Sequence, residues 1–566
     1  MASSTRNPTQ FRLSPLIELA LIFLAGLFIY GWKLGVAPLA GTEPLRALVA
    51  HQMVQSGDLL VPHIYGELYL RKPPLQYWIV AAVEWAAGHG DEFIWRLPSA
   101  VGSAGLAVFL AWWGGRWFGD RARLVSGFSC VALIALWAQD RGGDIDALNT
   151  MFSVLTACCI LEIVFGEGAS GRLNVGWCVA LALCCGAALL LKGPAALPTI
   201  LGALAGSALL AAGRRGLKKP AVWIGLFLGA AIFAAWLVPM ILRIRSGHLP
   251  ADSTGAQEAA DRLVLHSFSD AFWALLVPLR VLIYALPISI ALPLSVHVAL
   301  SLSPTSQLAD RILAIAFTIV ATLTIGIVGG ITNPRYSYVP MPLLAVLVGA
   351  VVAIAQDDNT GQFLSTRRFI RKSLNICCLI FLTVTLIMTV AAFLWIRLID
   401  PREHASVSRP ELITAAVASL VLCVWALQQS AVSRRAWALA GLIVLLGVSF
   451  AQWKNAERMR YSGRAVGVEL RADLGDDPRV STAAVVRDFP QVFYYAGVNV
   501  DAFGEHGLSK LVAAPGQRWI VLNEDEYGWL ARTAAGRLDH ITPLRLARDT
   551  LYLAQYTNPL ATQPNK

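Results

Sequence analysis

The sequence predicts an α-helical polytopic membrane protein with a small α/β domain at its C-terminal end. Three observations predict the helical membrane part and the appended domain. Apolar runs of about 20 residues, the length that crosses a bilayer, recur from Leu16 to Val448. Only 14% of the 566 residues are charged and the mean hydropathy is +0.59, whereas soluble domains carry roughly 25% charged residues. After about Trp453 the composition becomes that of an ordinary globular domain, with charges throughout and short β-rich stretches.

The runs give about 13 spanning helices once the segment from Pro73 to Ala87 is set aside as an interfacial helix. That segment is short, opens on Lys72-Pro73-Pro74, and contains Glu84 and Trp85. With this choice the basic loops fall on one side. Arg116, Arg121 and Arg123, then Arg214, Arg215, Lys218 and Lys219, then Arg367 to Lys372, and finally Arg434 and Arg435 join the N-terminus there. This is the positive-inside pattern, and it makes the N-terminus cytoplasmic with a retained first span from about Pro15 to Gly35. The same distribution explains the net charge of +10 without a nucleic-acid partner, because no single basic patch forms. The predicted domains are a transmembrane unit over 1–452, with a long outer loop at 36–92, and an extracytoplasmic α/β domain over 453–566. In the latter, Ala483 to Val486, Val492 to Tyr495 and Trp519 to Leu522 are the β-rich stretches. All nine cysteines fall inside predicted spans, so neither disulfides nor thiolate metal sites are expected.

The outer side receives the residues that could carry chemistry. Gly41-Thr42-Glu43-Pro44-Leu45-Arg46 has the form of a helix start, with Thr42 as N-cap, Pro44 in the first turn and Glu43 at the positive end. Glu43 can be simply a first-turn acid; it also shares a face with Arg46, three residues on. Arg71 and Lys72 before two prolines suit a phosphate headgroup, or equally serve as snorkelling anchors of the interfacial helix. Asp144 and Asp146 stand at the end of a span, where ionisable groups are either functional or merely wet. Lys192-Gly193-Pro194 interrupts an apolar stretch and is either an ordinary turn or a third cation at the outer face, where Arg335 and Tyr336 also arrive. Together they describe a cavity of carboxylates and cations opening toward lipid, suited to a substrate with a lipid tail and a phosphate. His248 and His266, in the loop from Ser246 to Asp270, have the character of exposed loop residues. No P-loop, dinucleotide fingerprint, HExxH or Cys/His zinc pattern is present.

These stretches resemble the GT-C glycosyltransferases that use polyprenyl-phosphate sugars, in particular the lipid A aminoarabinose transferases and the protein O-mannosyltransferases. The resemblance lies in Ser56-Gly57-Asp58, Val61-Pro62, Gly66 to Tyr69, and Lys72-Pro73-Pro74 with Tyr77-Trp78. It continues in Glu92-Phe93, Arg96-Leu97-Pro98-Ser99, Asp146 with Thr150 and Phe152, Lys192-Gly193-Pro194, Arg335-Tyr336 and Phe493 to Gly497. The order of these motifs across most of the chain is specific, although no single one is. The resemblance implies an inner-membrane enzyme that transfers a sugar from a polyprenyl phosphate to a lipid, glycan or protein acceptor on the periplasmic side. It implies Arg46, Arg71, Lys72, Lys192, Arg335 and Tyr336 as the donor-phosphate residues, with Asp146 and a second carboxylate as catalytic groups and no metal or other cofactor. The family's first-loop helix usually begins Asp-Glu-x-Arg-Tyr, with the Asp catalytic; here that Asp falls on Thr42. Moving one residue on makes Glu43 the expected base. The departure at Thr42 also admits a homologue that binds or transports a lipid-linked sugar without catalysis. Ionisable groups converging on one face speak against a third possibility, a purely structural assembly subunit.

Overall fold

The computed structural model describes residues 14–65, 67–166, 171–246, 268–303, 305–328, 334–357, 361–396, 408–429, 432–461, 463–475, 479–482, 489–502, 508–513, 516–533, 537–546 and 549–558. His248, His266 and the β-rich stretch Ala483 to Val486 lie outside the described residues.

The chain is mostly helical. α1 (Pro15–Gly31) is followed by the first-loop helix α2 (Glu43–Ser56), a two-residue hairpin of β1 (His63–Ile64) with β2 (Glu67–Leu68), and α3 (Leu75–Ala87). Gly57, at φ 70°, stops α2 in the left-handed conformation that glycine adopts without penalty. α3 has 13 residues, about 20 Å at 1.5 Å per residue, so it is too short to cross a hydrocarbon core of about 30 Å. Then come α4 (Glu92–Phe118), α5 (Asp120–Val131), α6 (Ile134–Asp140), α7 (Asp146–Phe165) and α8 (Gly171–Lys192). After α8 a short 3₁₀ turn, Gly193–Ala196, leads into α9 (Leu197–Ala208), α10 (Ala211–Gly216) and α11 (Pro220–Ser246).

Among the described residues eight helical runs are long and apolar enough to cross a membrane, and two bent pairs raise this to ten. The expected count of about thirteen is above what this criterion gives. One of the eight, Val175–Ala208, nevertheless changes direction midway. Lys192 at its centre reaches Asp146, the first residue of α7. Beyond α9, Gly213 and Gly216 pack on Phe165 and Val164 at the last turn of α7. The chain therefore ascends α7 along α8 and returns along α9, turning at Gly193 (φ 57°).

The basic residues gather at the end of α7 away from Asp146. Glu162, near that end, accepts hydrogen bonds from Trp113 (2.9 Å), Trp117 (2.5 Å) and Arg116 (3.0 Å). Arg123 pairs with Glu18 at 3.1 Å and Arg121 pairs with Asp357.

Lipid gives apolar helices no hydrophobic reason to associate, so close packing must hold them. Gly202 and Gly206 of α9 lie against Thr322 and Thr318 of the helix Gln307–Val328; a Cβ at Gly206 would stand 2.6 Å from the Thr318 backbone nitrogen.

The C-terminal part holds a five-stranded sheet in the order β4-β3-β5-β7-β6. β3 (Arg479–Thr482) runs parallel to β4 (Asn499–Ala502) and β5 (Gly516–Leu522). β7 (Thr550–Asn558) runs antiparallel to both β5 and β6 (Arg537–Arg545). Helix Arg464–Leu474 packs Val466, Leu470 and Leu474 into a core with Val480, Val521 and Leu553. The helix Val432–Tyr461 runs across 452/453. One expectation is corrected. Val492 to Tyr495 is helical, within Pro490–Ala496, because Pro490 presets the first turn and Gly497 caps the last at φ 57°.

Replacing Gly206 by valine should destabilise the α9 contact by about 1–3 kcal/mol through overpacking. Thermal unfolding in detergent checks this against Gly105→Ala, whose new methyl meets nothing within 4 Å and should leave the midpoint unlowered or slightly raised.

Candidate active site

The first turn of α2, the loop 141–145, the start of α7, the end of α8 and the short helix Pro334–Ser337 converge on one cluster of charges. Thr42 precedes α2 but does not cap it: its backbone is helical and its side chain makes no capping bond. Its hydroxyl donates instead to Asp144 Oδ2 at 2.6 Å. The expected N-cap is thus corrected to a tertiary contact between two segments a hundred residues apart.

Glu43, the expected base, sits elsewhere in the cluster than its sequence position suggested. Arg96 reaches both its oxygens, at 3.2 and 2.8 Å, and Arg458 bonds Oε1 at 2.9 Å. The backbone N–H of Gly143 donates to Oε1 at 2.9 Å and that of Ala40 to Oε2 at 3.2 Å. Burial alone would raise its pKa, but Arg458 and Arg96, with the Gly143 N–H, outweigh it and bring it down from near 4.5 to about 2. A carboxylate so occupied has little capacity left to accept a substrate proton. Glu43 holds the first loop, α4, the loop at Gly143 and the last long helix together.

Arg46 shares the α2 face with Glu43 yet does not pair with it. Its Nη1 donates to the hydroxyls of Tyr69 (2.6 Å) and Tyr77 (2.7 Å), and its Nε lies 3.4 Å from Asp144 Oδ1. Burial works against its charge, but Tyr77, Tyr69 and Asp144 outweigh that and raise its pKa.

Asp146 opens α7 and is paired with Lys192, the last residue of α8; Arg335 Nε approaches its other oxygen at 3.2 Å. The Lys192 ammonium lies 4.2 Å from the centre of the Tyr336 ring, a cation–π distance. Arg335 also stands 3.7 Å from Asp144. Asp144 is held well below the carboxylate range: burial opposes this, but Arg46, the Thr42 hydroxyl and Arg335 prevail. Arg71 and Lys72, half-buried, precede Pro73, whose ring would lie 3.7 Å from a Cβ placed on Gly193. The segment 71–73 therefore runs past the Lys192-Gly193 turn.

Of the residues expected from sequence, Asp146, Lys192, Arg335, Tyr336 and Arg46 meet in one cluster, with Arg71 and Lys72 beside it. Two aspartates face three cations, leaving one positive charge in excess. Arg458 was not among the candidates. Its signal was faint: an arginine in the stretch where the composition shifts, hundreds of residues from its partner. Arg96 stood in a quoted motif without a role; its remaining donors go to the carbonyls of Leu34, Ala37 and Pro38 at 2.7–2.8 Å. Among the described residues no group of three or more His, Cys, Asp or Glu side chains gathers as a metal site.

Residues 71–238 match the family described as dolichyl-phosphate-mannose-protein mannosyltransferase. More particularly, the chain is 29% identical over 157 residues to an undecaprenyl phosphate-alpha-4-amino-4-deoxy-L-arabinose arabinosyl transferase of Sodalis glossinidius, covering 27% of each chain. It is 30% identical over 177 residues to the enzyme of the same description from Pseudomonas savastanoi pv. phaseolicola, covering 31% of this chain and 32% of that one. The matched stretches thus span about a quarter to a third of these relatives' length. The crystal structure of ArnT from Cupriavidus metallidurans bound to undecaprenyl phosphate superposes with a TM-score of 0.68 at 18% identity, over 96% of this chain and 99% of that one. The chain has the ArnT-like fold and resembles the GT-C aminoarabinose transferases.

Glu43 stabilises the fold only while ionised. Its contribution is complete above pH about 4.5 and is lost as pH falls through about 2. Breaking the buried pair by Glu43→Ala should cost about 3–5 kcal/mol at neutral pH. Detergent unfolding between pH 2 and 7 should show a wild-type midpoint that drops steeply in the acid window, and a variant midpoint that is lower and flatter there.

Proposed function

We propose that this protein is a membrane glycosyltransferase that moves a sugar from a polyprenyl-phosphate donor to a lipid, glycan or protein acceptor. The observation that carries the proposal is the cluster of Asp144 and Asp146 against Arg46, Lys192 and Arg335, with its single excess positive charge. Such a site receives a lipid phosphate leaving group without creating an unpaired buried charge. Lys192 and Arg335 neutralise the phosphate as it departs, Arg71 and Lys72 flank its entry, Tyr336 stacks on the Lys192 ammonium, and Arg46 fixes the first loop against Asp144. Displacement of a lipid phosphate needs no nucleotide and no metal in this scheme.

The arrangement of charges supports placing the site on the periplasmic side of the inner membrane. Arg116, Arg121, Arg123 and the Arg214-Arg215 pair occupy the end of the bundle away from Asp146, as cytoplasmic loops do. A thirteen-span arrangement with an extracytoplasmic C-terminal domain is consistent with that orientation, and Tyr495 supports it by joining this domain to the first loop. Its hydroxyl accepts from the Leu39 N–H at 2.6 Å and donates to Glu92 at 2.9 Å. Thr42 favours a second reading, a binder or transporter of a lipid-linked sugar that has lost catalysis.

Transfer from radiolabelled undecaprenyl-phosphate aminoarabinose and hexoses to envelope lipids tests the proposal. The wild type should transfer from at least one donor. Lys192→Ala and Arg335→Ala should each lower transfer by about 10²-fold or more, the usual effect of removing a group that meets developing charge. Donor binding without transfer by the wild type would establish the second reading instead.

A further inference from the structure

We propose that Asp144 is the carboxylate that accepts the acceptor's proton in this transfer, and that Thr42 is the residue that positions it. The inference rests on the transferase reading and adds the identity of its base.

Three carboxylates meet at the site, and their surroundings differ in the respect that matters. A base must keep an oxygen available to the substrate and must not be locked to a counter-ion. Glu43 is saturated by two arginines and two backbone N–H groups, and its side chain is 6% exposed. Asp146, also 6% exposed, is pinned between Lys192 and Arg335. Asp144 is 15% exposed, and its cations stand back: Arg46 at 3.4 Å and Arg335 at 3.7 Å, beyond good hydrogen-bond distance. Its close partners are neutral donors, the Thr42 hydroxyl at 2.6 Å on Oδ2 and the Ile145 N–H at 2.8 Å on Oδ1. These neutral donors orient the carboxylate while its cations stay at 3.4 and 3.7 Å, and each oxygen keeps a further lone pair.

Arg335 links donor binding to the base. It is 37% exposed, the most accessible cation of the cluster, and it touches both aspartates. A phosphate that draws Arg335 toward itself removes a counter-ion from Asp144, so the carboxylate becomes more basic when the donor is in place.

In the step itself the acceptor hydroxyl oxygen bonds to the anomeric carbon of the sugar. The bond from that carbon to the phosphate oxygen breaks, and its electron pair leaves on the polyprenyl phosphate. The hydroxyl proton passes to Asp144 and from there to water.

The test measures transfer from undecaprenyl-phosphate sugars to envelope lipids with full-length protein in detergent or nanodiscs, alongside binding of undecaprenyl phosphate and thermal unfolding. Asp144→Asn keeps size and an acceptor for Thr42. It should lower kcat by about 10²–10⁴-fold, with the donor KM changed by less than roughly threefold and unfolding unaltered. Thr42→Val removes the donor on Oδ2 and should move the acid limb of the kcat profile to higher pH, while Thr42→Ser leaves that limb in place. Wild-type kcat in Asp144→Asn, or a loss expressed wholly in donor KM, overturns the assignment of the base. An unshifted limb in Thr42→Val overturns the role given to Thr42. Undecaprenyl phosphate binding by a wild type that transfers from no donor overturns the transferase reading, and this assignment with it.

Discussion

The site depends on one buried carboxylate. Glu43 joins Arg96 of α4, Arg458 of the last long helix and the Gly143 N–H, so three distant parts of the chain meet on two oxygen atoms. The excess cation there is tolerable because Arg96 spends its other donors on the carbonyls of Leu34, Ala37 and Pro38. Buried charges persist only when paired and hydrogen-bonded, and this group meets both conditions. Holding Gly143 in place also sets the position of the next residue, Asp144, so the architecture of the first loop reaches the charge cluster through a single peptide.

The second constraint is the meeting of helix ends. Asp146 stands in the first turn of α7, where the helix dipole favours an anion, and Lys192 closes α8, where it favours a cation. Each charge is therefore stabilised by its own helix before the pair forms. The reversal at Gly193 brings α8 to its end at the level where α7 begins, and only a residue at ease with positive φ turns there. The apolar helices fix where the charges meet, and the charges in turn fix the ends of those helices.

Much of this was legible in sequence, for reasons that can be stated residue by residue. Lys192 and Asp146 stood out because an ionisable group beside a long apolar run is costly and needs a partner. The sorting of arginines between spans indicated which ends of the bundle lie together before any contact was known. Thr42 was misread as an N-cap because local rules for helix starts were applied to a residue whose partner is 102 positions away, and the same rules are silent on the partners of Glu43, 53 and 415 positions away. Helix-start chemistry was right about Pro44 and silent on the tertiary contacts that captured its neighbours. Likewise Val492 to Tyr495 carries β-forming side chains, yet Pro490 and Gly497 bracket it as a helix. Backbone punctuation prevailed there over side-chain preference.

That helix shows why the C-terminal part belongs to the site's architecture. Tyr495 joins the Leu39 N–H to Glu92, and Tyr494 packs edge-on against Trp95, with ring centres 5.0 Å apart. Trp95 and Arg96 are consecutive on α4, so the face that receives Tyr494 adjoins the residue that grips Glu43. Arg458 reaches the same carboxylate from the helix that leads directly into this domain. The C-terminal part is thus tied to the first loop and α4 at three points: the hydrogen bonds of Tyr495, the ring contact of Tyr494 with Trp95 and the ion pair of Arg458 with Glu43. A displacement of the C-terminal part would strain these ties, and two of them, at Trp95 beside Arg96 and at Glu43 itself, touch the groups that set the position of Asp144. The C-terminal part therefore bears on the charge cluster from a distance: it holds the loop that carries Glu43.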